Sequence, residues 1–351
     1  MTSTDKKSVC FLPLAGTDNP YQRLTMEGLK TRDLIVKHGC SGKFGVFTRT
    51  ALAYKPNYIH LDWLQRYYIR RTYWMTWLFY PLFVLDVFIV NYLFDIKLVW
   101  TLHNIFPHDR PVFGPYLWAR RLFAQHCSWI RVFDEDTIAR ASKALGVSKE
   151  KFRVVPEGDY VGYYPNQISQ KQARQQLGIP VDDRVFLYLG LIKPYKGILE
   201  LIQFFKTLVI PNAKLLVAGK SMDEHYWKAI QAEHSAAIDI REGFIPDDQL
   251  QVFFNAADAV VLPFQRIENS GSAILAMGFE KVVVAPKKGV LVSRLKQQAE
   301  YLYTSDAEFP QKLIAINKLP KLELQKIGAA NRDALKKHKW EDFASCFNIN
   351  T

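Results

Sequence analysis

The residues best suited to chemistry gather in two short turns in the second half of the chain. Gly190-Leu-Ile-Lys193-Pro-Tyr-Lys196-Gly197 follows an apolar run at 185–189, and Glu268-Asn269-Ser270-Gly271-Ser272 opens a helical pattern leading to the apolar run 282–285. Both read as strand-to-helix junctions. A helix N-terminus presents unpaired backbone N–H groups and the positive end of a dipole, which together favour a phosphate. Ser270, Gly271 and Ser272 are small enough for a phosphate to reach that backbone, and Lys193 and Lys196 add positive charge. Gly190, Lys193, Lys196 and Asn269 to Ser272 therefore predict a diphosphate site above the carboxyl ends of parallel strands. Glu268 would either complement the following helix dipole or accept hydrogen bonds from sugar hydroxyls.

His103 ends another apolar run, in Thr101-Leu-His103-Asn104-Ile-Phe-Pro-His108-Asp109. A strand's carboxyl end faces the crevice in such a sheet, which favours a substrate contact for His103 over a structural role. No third ligand accompanies it at useful spacing, so no zinc site is assigned. Asp134-Glu135-Asp136 forms a D-x-D after a strand, a pattern found in metal-dependent sugar transferases, but acidic residues opening a helix account for it. No metal is expected.

These residues need a scaffold, and the chain is long enough for one. Its 351 residues suit about two domains. A 49% hydrophobic, 14% aromatic composition excludes disorder. Lys and Arg outnumber Asp and Glu by 46 to 34, a net +12 that suits phosphorylated substrates, anionic lipid or nucleic acid. The basic residues form no recognition element, so nucleic acid is not expected as a partner. Cys10, Cys40, Cys127 and Cys346 are scattered, as in reduced thiols of a cytosolic protein. The polar start shows no signal peptide, and a cytoplasmic location is expected.

Apolar runs at 8–14, 44–48, 58–61, 97–102, 129–133 and 152–155 read as strands, separated by helical patterns at 21–37, 67–93, 115–125 and 135–145. A second series begins at 185 and continues at 214–218, 237–242, 259–262, 282–285 and 301–303. Strands spaced by helices predict an α/β protein with parallel, doubly wound sheets. The expected architecture is two Rossmann-like domains facing a central cleft, 1–164 and 165–334, with a C-terminal helix at about 335–351 packing back on the first.

The stretch 73–94 is apolar and, at about 20 residues, long enough to cross a bilayer. Pro81, Asp86 and Asn91 argue against a lipid-embedded span. Three readings remain open: a core helix, an interfacial helix with Trp74 and Trp77 at headgroup level and Arg70 and Arg71 on anionic lipid, or, least favoured, a transmembrane helix.

Several blocks in order carry a family resemblance. They are Asn19-Pro-Tyr21, Ile59-His-Leu-Asp62-Trp63, Val99-Trp-Thr-Leu-His103-Asn104 with Pro107-His108, Val154-Val-Pro156-Glu157-Gly158, Gly190 to Gly197, and Asn269-Ser270-Gly271. The chain resembles the family 4 retaining glycosyltransferases of the GT-B fold, bacterial enzymes of cell-surface and exopolysaccharide biosynthesis. The resemblance implies sugar transfer from a UDP- or GDP-linked donor to a hydroxyl of a lipid-linked saccharide, with retention and without cofactor or metal. Lys196 matches the lysine that holds the donor diphosphate, and Lys193 replaces the charge of the family's arginine, which is Leu191 here. Glu268 matches the first glutamate of the family's E-x7-E motif, while the second, a ribose ligand, is Ala276. His103 matches the histidine beside the donor sugar, and Gly16 is grouped with the donor contacts. Tyr21, Asn104, His108, Arg70, Arg71, Trp74 and Trp77 are placed on the acceptor or membrane side. The enzyme is then expected as a peripheral protein on the inner face of the plasma membrane. The alternatives are a degenerate transferase binding a membrane surface, or a nicotinamide-dependent oxidoreductase, although no strand leads into a G-x-G-x-x-G turn.

Overall fold

Each half of the chain builds its own six-stranded, all-parallel sheet. The computed structural model describes residues 6–14, 20–106, 113–208, 210–265 and 269–347. It divides into two units, Met1–Gly158 with His338–Thr351, and Asp159–Lys337. The four cysteines are unpaired.

The first unit runs β1 (Ser8–Leu12), α1 (Pro20–Lys30), β2 (Ile35–His38), α2 (Val46–Tyr54), β3 (Tyr58–Leu61), α3 (Gln65–Tyr68), α4 (Tyr73–Leu93), β4 (Lys97–Thr101), α5 (Pro115–His126), β5 (Cys127–Val132), α6 (Asp136–Leu145) and β6 (Phe152–Val154). Its sheet order is β2-β1-β3-β4-β5-β6. Alternate strand residues point to opposite faces. Leu12, Ile59, Leu61, Leu98 and Trp100 pack under the helices α2 to α6. Val9, Phe11, Val99 and Trp129 pack under α1 and the final 3-10 segment Trp340–Phe347. That segment is pinned by Phe343 against Trp129 (5.6 Å), Phe347 against Tyr58 (5.1 Å) and an Arg153 Nη1 bond to the Cys346 carbonyl (2.6 Å).

The expected strand at 44–48 is instead the entry to a helix. Gly45 adopts a left-handed φ of 58°, and Asp86 accepts hydrogen bonds from the N–H groups of Phe47 (3.0 Å) and Thr48 (2.8 Å). Satisfying those helix-start donors outweighs the strand preference of Val46 and Phe47. The strand of this region is Ile35–His38, which overlaps the end of the helical pattern expected at 21–37.

The second unit contains α7 (Gln170–Leu177), β7 (Arg184–Leu189), α8 (Ile198–Thr207), β8 (Ala213–Gly219), α9 (Glu224–Gln231), β9 (Ile238–Glu242), α10 (Leu250–Ala256), β10 (Ala259–Val261), α11 (Gly271–Gly278), β11 (Val282–Pro286), α12 (Val290–Arg294), β12 (Leu302–Tyr303), α13 (Glu308–Lys318) and α14 (Lys321–Leu335). Its sheet order is β12-β11-β10-β7-β8-β9. The central strands β7, β8, β10 and β11 are, beyond their first residues, almost wholly Val, Leu, Ala, Phe and Tyr, as strands covered on both faces require.

Candidate active site

In an open parallel sheet, strand order reverses at one point, and the loops there diverge to leave a crevice at the carboxyl ends. The second unit reverses between β7 and β10. Both turns singled out in the sequence leave from those two strands. Gly190 ends β7 with φ 147°, a conformation that favours glycine, and a Cβ built there would lie 3.5 Å from Ser272 Oγ and 3.9 Å from Lys196 Nζ. Two side chains from separate stretches thus converge over one glycine. Gly197, in left-handed conformation, opens α8 against the Pro263 carbonyl, which a Cβ would meet at 2.4 Å.

Ser270 caps α11: its Oγ accepts from the Ala273 N–H at 3.1 Å, while Asn269 Oδ1 accepts from the Ser270 N–H at 2.9 Å. Among the described residues, none comes within 4 Å of where a Cβ on Gly271 would sit. Lys196 is half-buried, its ammonium 5.0 Å from the Phe264 ring centre, and among the described residues it has no carboxylate partner. Burial and then the charge of Lys193 push its pKa down to about 8. An anion at this point would remove that penalty. Glu268 and Gly16 lie outside the described residues. Ala276 is fully buried in the core of the unit.

The first unit reverses between β1 and β3, and its polar cluster sits there. Asp62 follows β3, and its N–H is held by the Leu12 carbonyl at the end of β1 (2.9 Å). Its carboxylate accepts from His103 Nε2 (3.1 Å) and from Gln22 Nε2 (3.1 Å), which also bonds the Pro13 carbonyl (2.9 Å). His60 Nε2 meets Thr101 Oγ1 at 2.7 Å, one layer below. Trp63 stacks on His103 with ring centres 5.2 Å apart and planes at 14°, and Tyr21 meets the same imidazole edge-on at 4.9 Å. The His103 side chain is 14% exposed and Asp62 not at all, so the histidine reaches solvent from a buried carboxylate.

Burial opposes ionisation of Asp62, but His60, His103 and Gln22 hold its carboxyl below the ordinary range. Burial pushes His60 down to about 4, against the attraction of Asp62. At neutral pH His60 is therefore an uncharged structural group, and the hydrogen bonds from His103 and Gln22 are what support the Asp62 anion. The arrangement fixes one imidazole in position and tautomer at the surface of the sheet.

Asp62, Gln22 and Trp63 were not among the candidate residues of the sequence. The available signal was positional: Asp62 directly follows a strand, as His103 nearly does. Arg70 requires correction. It is buried, donates to the carbonyls of Lys43 (3.2 Å), Tyr67 (3.0 Å) and Ile69 (3.2 Å), and lies over Phe44 at 4.7 Å, so it stitches a loop rather than facing lipid. Trp77 packs edge-on against Trp118 at 5.0 Å, whereas Arg71 and Trp74 are exposed. The Asn104 carbonyl accepts from Arg120. His108 lies outside the described residues. Asp134 caps α6 by accepting from the Thr137 N–H (2.9 Å) and hydroxyl (2.8 Å), a structural use of the D-x-D.

Residues 169–325 match the family model described as Glycosyl transferases group 1. The second unit is a group 1 glycosyltransferase domain. The chain is 32% identical over 205 residues, 55% of its own length, to the lipopolysaccharide 1,2-N-acetylglucosaminetransferase of Salmonella typhimurium. It is 24% identical over 190 residues, 54% of its length, to the GDP-mannose:glycolipid 4-beta-D-mannosyltransferase of Xanthomonas campestris. It spans 49% of the length of each of these relatives. Among solved structures, sucrose-phosphate synthase of Thermosynechococcus elongatus matches with TM-score 0.74 at 16% identity over 97% of both chains. Anabaena HepE, solved with UDP and glucose, matches with TM-score 0.74 at 17% identity over 97% of this chain and 98% of that one. These matches and the two strand orders establish the GT-B fold class, in which the glycosyltransferase domain is the C-terminal Rossmann-like unit.

Proposed function

We propose that the protein transfers a sugar from a UDP- or GDP-linked donor to a hydroxyl of a lipid-linked saccharide, in cell-surface or exopolysaccharide biosynthesis. The observation that carries this reading is the convergence of Lys196, Ser272 and the α11 N-terminus over Gly190. Departure of a nucleoside diphosphate builds negative charge on its oxygens. A desolvated ammonium and backbone N–H groups aimed at that charge stabilise it without reorganising. Lys193 adds long-range charge. In the first unit, the imidazole of His103, oriented by Asp62, is suited to contact the sugar as it becomes oxocarbenium-like, with Glu268 as a second contact of the reacting sugar. Retention through front-face attack, with the leaving phosphate accepting the acceptor's proton, is the stereochemical reading, and no metal is assigned a role. The acceptor class follows the glycolipid and lipopolysaccharide chemistry in the names of the relatives. This reading implies work at the cytoplasmic face of a membrane.

The test is a thermal-shift panel of UDP, GDP, ADP and NADH, with and without EDTA, on the wild type and Lys196→Ala. A ligand that binds only the folded state raises the melting temperature. A UDP or GDP shift that survives EDTA and disappears in the variant is expected. A shift only with NADH, or one unchanged in the variant, would overturn the reading, and one abolished by EDTA would return a metal to the site.

A further inference from the structure

The exposed side of α4 is unusual for a helix packed on a Rossmann-like sheet. One face, with Phe83, Asp86, Val87 and Val90, is buried in the first unit. Phe83 sits among Tyr68 (5.7 Å), Phe47 (6.2 Å) and Phe123 (6.5 Å). The opposite face is apolar along its whole length. Trp74, Leu78, Leu82, Leu85, Tyr92 and Leu93 fall on one stripe at helical spacing, with Trp74 78%, Leu78 72% and Leu93 76% exposed. Twenty-one residues give a stripe about 30 Å long. A continuous apolar surface of that kind marks an interaction site.

Charge around the stripe selects the occupant. Between residues 34 and 94 the chain carries seven Lys and Arg and only two acids, Asp62 and Asp86. Both acids are buried. Arg70 is buried too; of the other six, Lys37 is exposed on β2, and Lys43, Arg49, Lys55, Arg66 and Arg71 are exposed on α4's N-terminal approach and on or beside α2 and α3, which pack against it. Against these cations stands the exposed Asp95 just past the C-terminal end of α4; a border of that net positive charge disfavours a second copy of itself. It complements an anionic headgroup layer over acyl chains. Asp86 settles the geometry: its carboxylate also accepts from the Thr48 hydroxyl at 2.6 Å, in addition to the two α2 N–H groups. Leaving the unit to span a bilayer would strand that carboxylate and those donors.

We propose that the outer face of α4 is an in-plane docking surface for an anionic lipid bilayer, buried to the depth of the headgroup–acyl boundary while the helix stays packed in the first unit. This deepens the proposed transfer by naming the surface that brings the enzyme to a lipid-linked acceptor; the docking itself stands on α4 and its charged border.

The full-length protein is sedimented with vesicles of phosphatidylcholine alone and of phosphatidylcholine mixed with phosphatidylglycerol. Co-sedimentation with the mixed vesicles is expected, weakened by salt, with little on phosphatidylcholine. Leu78→Glu with Leu85→Glu should reduce binding by more than about tenfold, with melting temperature unchanged because both sites are exposed. Arg49→Glu with Arg71→Glu should remove the preference for anionic lipid. Wild type remaining in the supernatant at low salt, or a Leu double variant that binds as wild type does, overturns the proposal. So does a concentration-dependent dimer, without vesicle binding, that the Leu substitutions abolish. Bound protein that resists both salt and carbonate extraction overturns the in-plane geometry in favour of a span. The nucleotide-induced thermal shift, read on the same samples, separates the two ideas: its absence in vesicle-binding wild type would sink the transferase and leave the docking surface standing.

Discussion

The two units place their polar residues at equivalent points of similar sheets, yet prepare them in opposite ways. At the β1/β3 reversal the first unit fills its own crevice: Asp62 is saturated by Gln22 and His103, and His103 is clamped by Trp63 and Tyr21. At the β7/β10 reversal the second unit gathers Ser272 and Lys196 over Gly190, leaves Gly271 clear of the other described residues, and holds Lys196 at a depressed pKa. The first is a finished part whose task is to hold geometry. The second stores unfavourable desolvation that an anion relieves, so binding and electrostatic stabilisation come from the same residue.

The sharpest way to break this contrast is at Lys196. Lys196→Ala should lower kcat/KM by about 10²–10³-fold, the scale of losing one preorganised donor, and abolish the nucleotide-induced thermal shift. Lys196→Met should do the same yet raise the melting temperature of the ligand-free protein. The unfolded lysine titrates near 10.5 and the folded one at about 8. Below pH 8 both states are charged and the fold bears the full burial penalty; between 8 and 10.5 the folded state loses its proton first and the penalty lifts. Donor affinity should correspondingly fall as pH rises above about 8. A Met variant less stable than wild type at neutral pH would show that the ammonium is solvated rather than stored.

Asp62→Asn tests the other half. It keeps the shape of the side chain but weakens the hold on the imidazole, so kcat should fall by about 10- to 100-fold while donor KM and the nucleotide shift stay near wild type. A role limited to stability would lower the melting temperature and leave the rate per folded molecule unchanged.

Much of this contrast could be read in the sequence where the signal is local. The turns around Lys196 and Ser270 are marked by glycine, proline and serine beside apolar runs, and His103 by its place after a strand. Asp62 and Gln22 were missed because they are 40 residues apart and meet only through the pairing of β1 with β3, which no local pattern encodes. Arg70 was misread because charge beside an aromatic helix predicts an exposed head, whereas here three carbonyls and two phenyl rings enclose it. The faces of α4 could not be separated by periodicity, since the helix is apolar on nearly every side. Only Asp86 betrayed the inner face, and its partners at the start of α2 were hidden by the strand-like residues Val46 and Phe47.

Acid should distinguish the units without any substitution. His60 is held at about 4 in the fold against an ordinary 6.5. Between those values the unfolded chain binds a proton that the native one refuses, so stability of the first unit declines as pH falls from 6.5 to 4. Asp62, whose folded pKa is depressed, adds its own loss only at still lower pH. Hydrogen exchange at about pH 5 and about pH 7, corrected for intrinsic rates, should show β3 and β4 losing protection relative to β7 and β8. Equal loss in both sheets would mean that His60 does not set the weaker point.

The smallest effect concerns two helix caps that are chemically alike. Ser270 Oγ accepts from the Ala273 N–H at 3.1 Å in the second unit, and Thr72 Oγ1 from the Met75 N–H at 3.3 Å in the first. Replacing either by alanine should cost about 1 kcal/mol of helix stability. Only Ser270→Ala should also weaken nucleotide binding, by a few fold, because α11 carries Ser272 beside Gly190 and Lys196, whereas α4 belongs to the unit that holds no part of the proposed diphosphate site. If both variants left nucleotide affinity untouched, the α11 terminus would be a passive wall and Lys196 would carry the diphosphate with little help from the helix.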